Sequence, residues 1–260
     1  MLGRRNFIKT AGMATFGLLG SKGLFGFKSE KTHIFSLSFD DGFEKSFVKT
    51  AEIYEKYGLS ACFNVIATAH LDNFKPPDGY IRRNVLGDFS LWNDLQSRGH
   101  EIMPHGYNHT NLTQVPLEEA KNLIKRSLAY FEEHLKNFNI TKSVFNFPFN
   151  ASTEELENWL ETQVMAYRTA GDVINCWPDR DQKKLTCISY GPDNIDDYLK
   201  EQIDQFLKQP GGWFIFNTHG LDGEGWGPMS SGLLDELLGK LISYDHVDIL
   251  PVGKALDIYG

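Results

Sequence analysis

Cysteine is scarce in this chain: three in 260 residues, Cys62, Cys176 and Cys187, with no pair at CxxC spacing. Three thiols build no disulfide framework, and the missing CxxC argues against a cysteine-held zinc site. Cys62 sits in an apolar run and reads as a small core residue. A Cys176–Cys187 pair stays open for an exported protein, because spacing alone does not set a Cα separation. Basic residues are also in deficit, 26 against 34 acidic ones, for a net charge of −8. The deficit is steeper past the amino terminus: residues 1–31 hold six basic residues and one acidic residue, leaving the body at −13. A body that acidic repels nucleic acid and anionic membrane surfaces and suits neutral or cationic substrates. Long apolar runs are missing as well. The longest, Thr10 to Leu19, is too short and glycine-rich for a membrane-spanning helix. No internal repeat, low-complexity tract or linker interrupts the rest of the chain, whose length is enough for one large domain or two small ones.

What is present begins with a targeting pattern. Arg4-Arg5-Asn6-Phe7-Ile8-Lys9 precedes the soft apolar stretch, a basic region followed by a short hydrophobic one. The paired arginines, Phe7 and Lys9 resemble the twin-arginine export signal. Residues 1–31 are therefore expected to be an export segment read by the twin-arginine machinery, with a periplasmic or cell-surface destination. No small-x-small cleavage site follows, which leaves removal and membrane anchoring by this segment both open.

From residue 32 to 260, strand and helix patterns alternate. Apolar runs at Ile34 to Phe39, Ser60 to Val65, His100 to Pro104, Val144 to Phe147, Val164 to Arg168, Leu185 to Ser189, Trp213 to Asn217 and Val247 to Leu250 read as strands. Helical spacing runs from Glu44 to Tyr57, Phe89 to Arg98, Pro116 to Leu135, Thr153 to Thr162, Ile195 to Leu207 and Ser230 to Ser243. Gly171 to Lys184 has no strong period and is expected to be an active-site loop. Alternation of this kind predicts an α/β fold with parallel strands and helical crossovers. Polar residues follow several strands, which favours a barrel-like (β/α) enzyme with one active face.

Three clusters carry the chemistry. Asp40-Asp41-Gly42 places two carboxylates at the end of a buried strand, where Gly42 lets the chain turn sharply. Successive side chains on a strand point opposite ways, so the two carboxylates have different jobs unless the backbone bends. His105 and His109, four residues apart, project to one side if the backbone is helix-like. Two imidazoles and a carboxylate form a common catalytic zinc set with a position left for water. His219 follows a buried strand and precedes Gly220, where it can protonate a leaving group. His33, His70, His100, His134 and His246 lie on strand starts, loops and polar helix faces and read as structural.

Ser38-Phe39-Asp40-Asp41-Gly42, His105-Gly106-Tyr107-Asn108-His109, Phe147-Pro148-Phe149 and Thr218-His219-Gly220 together resemble the ordered motifs of the polysaccharide deacetylase (NodB-homology) family of carbohydrate esterases. The match runs from about Ile34 to Ile249. The resemblance implies a deformed (β/α) barrel in a single domain and a divalent metal, most often Zn2+. It implies that Asp41, His105 and His109 bind the metal, that Asp40 is the general base and that His219 is the general acid. The expected reaction is hydrolytic removal of N- or O-linked acetyl groups from a glycan or glycoconjugate by metal-activated water. Two departures stand out. In the third motif Asn146 occupies the place of an arginine that in the family holds the catalytic aspartate, with Asn150 where glycine is usual, and the family's tryptophan-containing fourth motif has no full match, Asp172 and Trp177 being its candidates. Arg168 is expected to supply the missing guanidinium. Phe149, Tyr107, Trp226 and Trp177 are the candidate substrate-contacting aromatics. The competing readings are an exported carbohydrate-binding protein with a vestigial pocket and a metallohydrolase of a non-sugar amide or ester.

Overall fold

The structure, a computed structural model, describes residues 30–75 and 79–260. The proposed export signal lies almost wholly outside the described residues. Among the described residues, no helix is long and apolar enough to cross a membrane.

The chain starts with β1 (His33–Phe39), every residue of it buried. Buried on both faces, it carries the near-continuous apolar run typical of a parallel strand under helices. Helix α1 (Glu44–Lys56) turns Phe47, Ala51 and Tyr54 inward, and Gly58 at φ +67 lets the chain leave it. Then come β2 (Cys62–Val65), α2 (Phe89–Ser97), β3 (Glu101–Pro104), α3 (Leu117–His134) and β4 (Val144–Asn146). Asp88 caps α2 by accepting from the N–H groups of Ser90 and Leu91. After β4 the chain forms α4 (Glu154–Leu160), β5 (Ala166–Ala170), β6 (Ile174–Asn175), β7 (Lys184–Ser189) and α5 (Asp196–Phe206). It closes with β8 (Gly212–Thr218), α6 (Ser231–Leu241), β9 (Val247–Ile249) and α7 (Val252–Tyr259).

The strands form a nearly closed parallel barrel in a single domain. The sheet runs β3-β2-β1-β8-β7-β5-β4, with β9 on the lower half of β1. Its open ends meet side by side: the Asn146 amide on β4 reaches the carbonyl of Pro104 on β3 at 3.4 Å. Phe35 stacks on Phe214, and Phe47 on Phe63, where helices cover the sheet. Each fully buried phenylalanine contributes about 1.5–3 kcal/mol. All strands but β6 run the same way, so their carboxyl ends share one face of the barrel.

Two expectations change here. Gly171 to Lys184 is not a loop over the active face. It contains β6, which pairs antiparallel with the beginning of β8, Asn175 opposite Trp213. That places it at the amino-terminal end of the barrel. The three thiols are all free, with Cys187 buried and Cys176 exposed. A final helix, α7, was hidden by its brevity and is anchored by Glu101, whose carboxylate accepts from the N–H groups of Gly253 and Lys254.

Candidate active site

The site starts where β1 ends. Asp40 is still paired, its N–H donating to the carbonyl of Thr218 on β8 at 2.9 Å. Asp41 then takes a φ of +77 and Gly42 one of +99. This bend breaks the strand alternation, so both carboxylates serve one cleft. A Cβ on Gly42 would stand 3.1 Å from the ring of Trp92, which keeps the position glycine.

His105 and His109 converge by a different route from a helical turn. Gly106 has φ +80 and His109 φ +57, and the segment is an irregular loop after β3. Two left-handed residues fold the chain back so that the imidazole centroids lie 5.0 Å apart. A Cβ on Gly106 would meet Pro148 at 2.8 Å, so the loop packs directly on the β4 end. Asp41 Oδ1 lies 3.6 Å from His105 Nε2 and 3.3 Å from His109 Nε2. One donor atom from each of the three residues falls within 4.8 Å of the others, and all three residues are buried. His105 Nδ1 faces the carbonyl of Asn146 at 3.1 Å, which fixes the tautomer and turns the Nε2 lone pair into the cleft.

Burial pushes the His105 imidazole down to about 4, despite the pull of Asp40 in the other direction. Burial and the neighbouring His105 hold His109 well below the ordinary histidine range. Both rings are thus neutral ligands at physiological pH. A tetrahedral zinc ion with bonds of about 2.0–2.1 Å spaces its ligand atoms by about 3.3 Å. The donor set and its spacing fit such an ion.

Asp40 is held differently. Arg168 Nη1 donates to Oδ1 at 3.0 Å and Nη2 to Oδ2 at 2.5 Å. Asn64 donates to Oδ1 at 2.7 Å and Asn217 to Oδ2 at 2.6 Å. Asn146 stands one step back, its amide on Asn64 Oδ1 at 2.8 Å. Burial pushes the Asp40 carboxyl up, but the Arg168 guanidinium, His105 and His219 outweigh it and bring it to about 2. Arg168 is raised in turn: burial lowers it, and Asp40 more than restores it. The contact expected between Arg168 and Asp40 is therefore present, and Asn146 joins the same network indirectly.

His219 sits after β8 on the same face. Glu224 and Ser46 hold its loop: Ser46 donates to Glu224 from both N and Oγ, and Leu221 N donates to Ser46 Oγ at 2.8 Å. Trp226 stands edge-on to His219 with centroids 5.7 Å apart. Asp40, Asp41, His105, His109 and His219 all line one cavity of about 350 Å³. Its rim carries Phe149, 47% exposed, and Tyr80, 46% exposed, with Ile81 and Trp226 beside them.

Two aromatics expected at the site are elsewhere. Trp177 packs edge-on against Tyr259 and lines a larger groove beside Gly212, at the opposite end of the barrel. Tyr107 is spent on packing: Arg126 lies 3.9 Å over its ring, and its carbonyl accepts from Thr68. Conversely, Asn64 and Asn217 were missed. The signal was there, since each is a lone amide inside an otherwise apolar strand.

The polysaccharide deacetylase family profile matches residues 28–167. The chain belongs to the polysaccharide deacetylase family. Solved structures agree on the fold. A putative polysaccharide deacetylase from Mycobacterium smegmatis aligns at a TM-score of 0.63 and 14% identity, over 87% of this chain and 90% of that one. A peptidoglycan deacetylase from Bacillus subtilis aligns at 0.55 and 18% identity, over 87% and 91%. A family 4 acetyl xylan esterase from Clostridium thermocellum, solved with a cobalt ion, aligns at 0.58 and 14% identity, over 86% and 91%. Comparison with curated proteins returns no match. Membership in this deacetylase family supports a hydrolase acting on carbohydrate acyl groups.

Proposed function

We propose that the chain is a divalent-metal-dependent hydrolase that removes N- or O-linked acyl groups, acetyl in the first instance, from a carbohydrate. One observation carries the reading: a donor set of two neutral imidazoles and one carboxyl group, a second, fixed carboxylate and a further histidine share a single cleft. Asp41, His105 and His109 would hold the metal, and zinc suits two imidazoles and a carboxylate. When bound, the ion lowers the pKa of water towards roughly 7 and polarises an acyl carbonyl.

The remaining chemistry belongs to the chain's own groups. Asp40, with Oδ2 3.6 Å from His105 Nε2, would accept the proton of the attacking water. A carboxylate held at about 2 is a weak base, so the water must itself be acidified for the transfer to proceed. Arg168, Asn64 and Asn217 keep Asp40 in one orientation. His219 protonates the departing amine or alkoxide. An amine leaves poorly without that proton, so His219 matters most for an N-acyl sugar. Phe149, Tyr80 and Trp226 offer ring faces on which a sugar can stack at the rim.

The test is acetate release from acetylated chitin, xylan and peptidoglycan fragments by the zinc-loaded protein. Release is expected to fall by about 10²–10⁴ in Asp40→Asn. No release from any acylated sugar, with one zinc bound per chain, would leave the vestigial carbohydrate-binding reading standing instead. For residues 1–31 we propose export by the twin-arginine route, on the Arg4-Arg5 pattern.

A further inference from the structure

The cleft is apolar at its rim and polar at its floor. Asn217 on β8 is buried to 3% exposure and pairs in register with Ser189 on β7. Asn150, just after β4, completes the floor: its amide nitrogen lies 3.4 Å from Asn217 Oδ1 and 3.5 Å from Ser189 Oγ. Both contacts are at the long edge of hydrogen bonding, so neither commits the groups strongly. The Ser189 hydroxyl accepts from Asn150 and donates to no protein group among the described residues. Asn150 holds a φ of +50, directly after Phe149 at +60. Two successive non-glycine residues in the left-handed region place a side chain where glycine would leave none, and such strain is retained at functional sites.

The geometry of entry decides what this floor meets. A sugar within a polymer is bonded to neighbouring sugars on both sides, so it lies across the aromatic rim of the cavity rather than inside it. Its acyl group then enters first. The carbonyl carbon would then lie between the Asp41, His105 and His109 side and His219, with the acyl substituent towards Asn150, Ser189 and Asn217, which line the same cavity. A methyl group there would cover the Ser189 hydroxyl and the Asn150 amide without giving either a partner, which is unfavourable. A hydroxymethyl group would accept from Ser189 or Asn150 and donate to Asn217 Oδ1.

We propose that Asn150, Ser189 and Asn217 form an acyl-recognition floor that selects a 2-hydroxyacyl group, of the glycolyl kind, over acetyl. The inference rests on the deacylase reading above. The reaction is ordinary hydrolysis: the oxygen of water bonds to the acyl carbon, the C–N bond breaks, and the sugar amine leaves with a proton, releasing glycolate.

The experiment compares N-glycolyl, N-acetyl and N-propionyl forms of one glucosamine disaccharide with the zinc-loaded full chain. Glycolyl and propionyl are close in size, so their ratio of kcat/KM reads the hydroxyl alone. A ratio of about 10 or more is expected, since a site built to bond a hydroxyl rejects analogues that lack it. The ratio should fall towards one in Ser189→Ala and in Asn150→Gly, the latter compatible with the positive φ. A preference arising from chelation by the hydroxyl alone would survive both substitutions and would overturn the proposal. So would a wild-type ratio at or below one. Calorimetric binding of the same sugars to metal-free protein gives a second reading. If no sugar is hydrolysed, the deacylase reading fails; tighter glycolyl binding then still upholds the floor, and equal binding overturns it.

Discussion

Arg168 on β5 grips Asp40, just after β1, through both of its Nη nitrogens, from a strand that is not a neighbour of β1 in the sheet. A buried bidentate pair of this kind fixes a carboxylate in orientation and in charge. It also makes the arginine hard to remove, because a lone buried charge costs about 3–5 kcal/mol. Arg168→Met is therefore expected to lower stability by about that much in denaturant unfolding.

The same substitution has a pH signature. Arg168 depresses the Asp40 pKa, so the base stays ionised down to about 2. Without the guanidinium the pKa rises, and the acid limb of kcat/KM should move to higher pH by about 1–3 units. An unmoved acid limb would show that Asp40 ionisation does not limit the rate. In the wild type the depressed carboxyl adds stability that is complete above its ordinary pKa near 4 and is lost as pH falls towards about 2. Thermal unfolding between those pH values checks the sign.

Metal retention should follow the imidazoles. With His105 held near 4 by burial, protons compete for it only in strong acid. Zinc content near one per chain is expected down to about pH 5, and to be lost in Asp41→Ala, His105→Ala and His109→Ala. Full zinc content in all three variants would place the ion elsewhere.

The loop that carries His219 hangs on Ser46, which donates to Glu224 and accepts from Leu221 N. Ser46→Ala should misplace the acid and cost about 10-fold on an N-acyl sugar. An activated aryl ester, whose leaving group needs no proton, should be much less affected. Equal losses on both substrates would make Ser46 a matter of folding only. Gly225→Ala is a harsher version, since a Cβ there would stand 2.7 Å from the Phe43 ring at a φ of +80.

Trp177 serves as the control. It packs, partly buried, with Tyr259 at the far end of the barrel, so Trp177→Ala should lower stability by about 1 kcal/mol and leave KM for sugars unchanged. A raised KM would put a second sugar contact on that distant groove.

The motifs were legible because they are local. Asp40-Asp41-Gly42, the His105–His109 spacing and His219 each announce themselves within a few residues, and alternating strand and helix patterns announce a parallel barrel. Local reading failed where contact crosses the barrel. Trp177 lies near the active-site motifs in order along the chain, yet the antiparallel β6 carries it to the opposite end. Tyr107 lies between the two metal-facing histidines but turns to Arg126. Asn64 and Asn217 stand out as amides in apolar strands, but what they serve is visible only once Asp40 is found between them.

Residue chemistry and its order along the chain are a property of the sequence, and they were enough for the fold and the reaction class. Which side chains meet is a property of closure. Strands β1, β5, β8 and β9 bring residues more than 100 positions apart within hydrogen-bonding reach, as between Ser38 and Arg168. No periodicity records that, because the register between strands is set by packing of the whole barrel and by bends such as the one at Asp41. The polar floor beneath the cleft is the clearest case: three inconspicuous residues from three strand ends become one surface only when the barrel shuts.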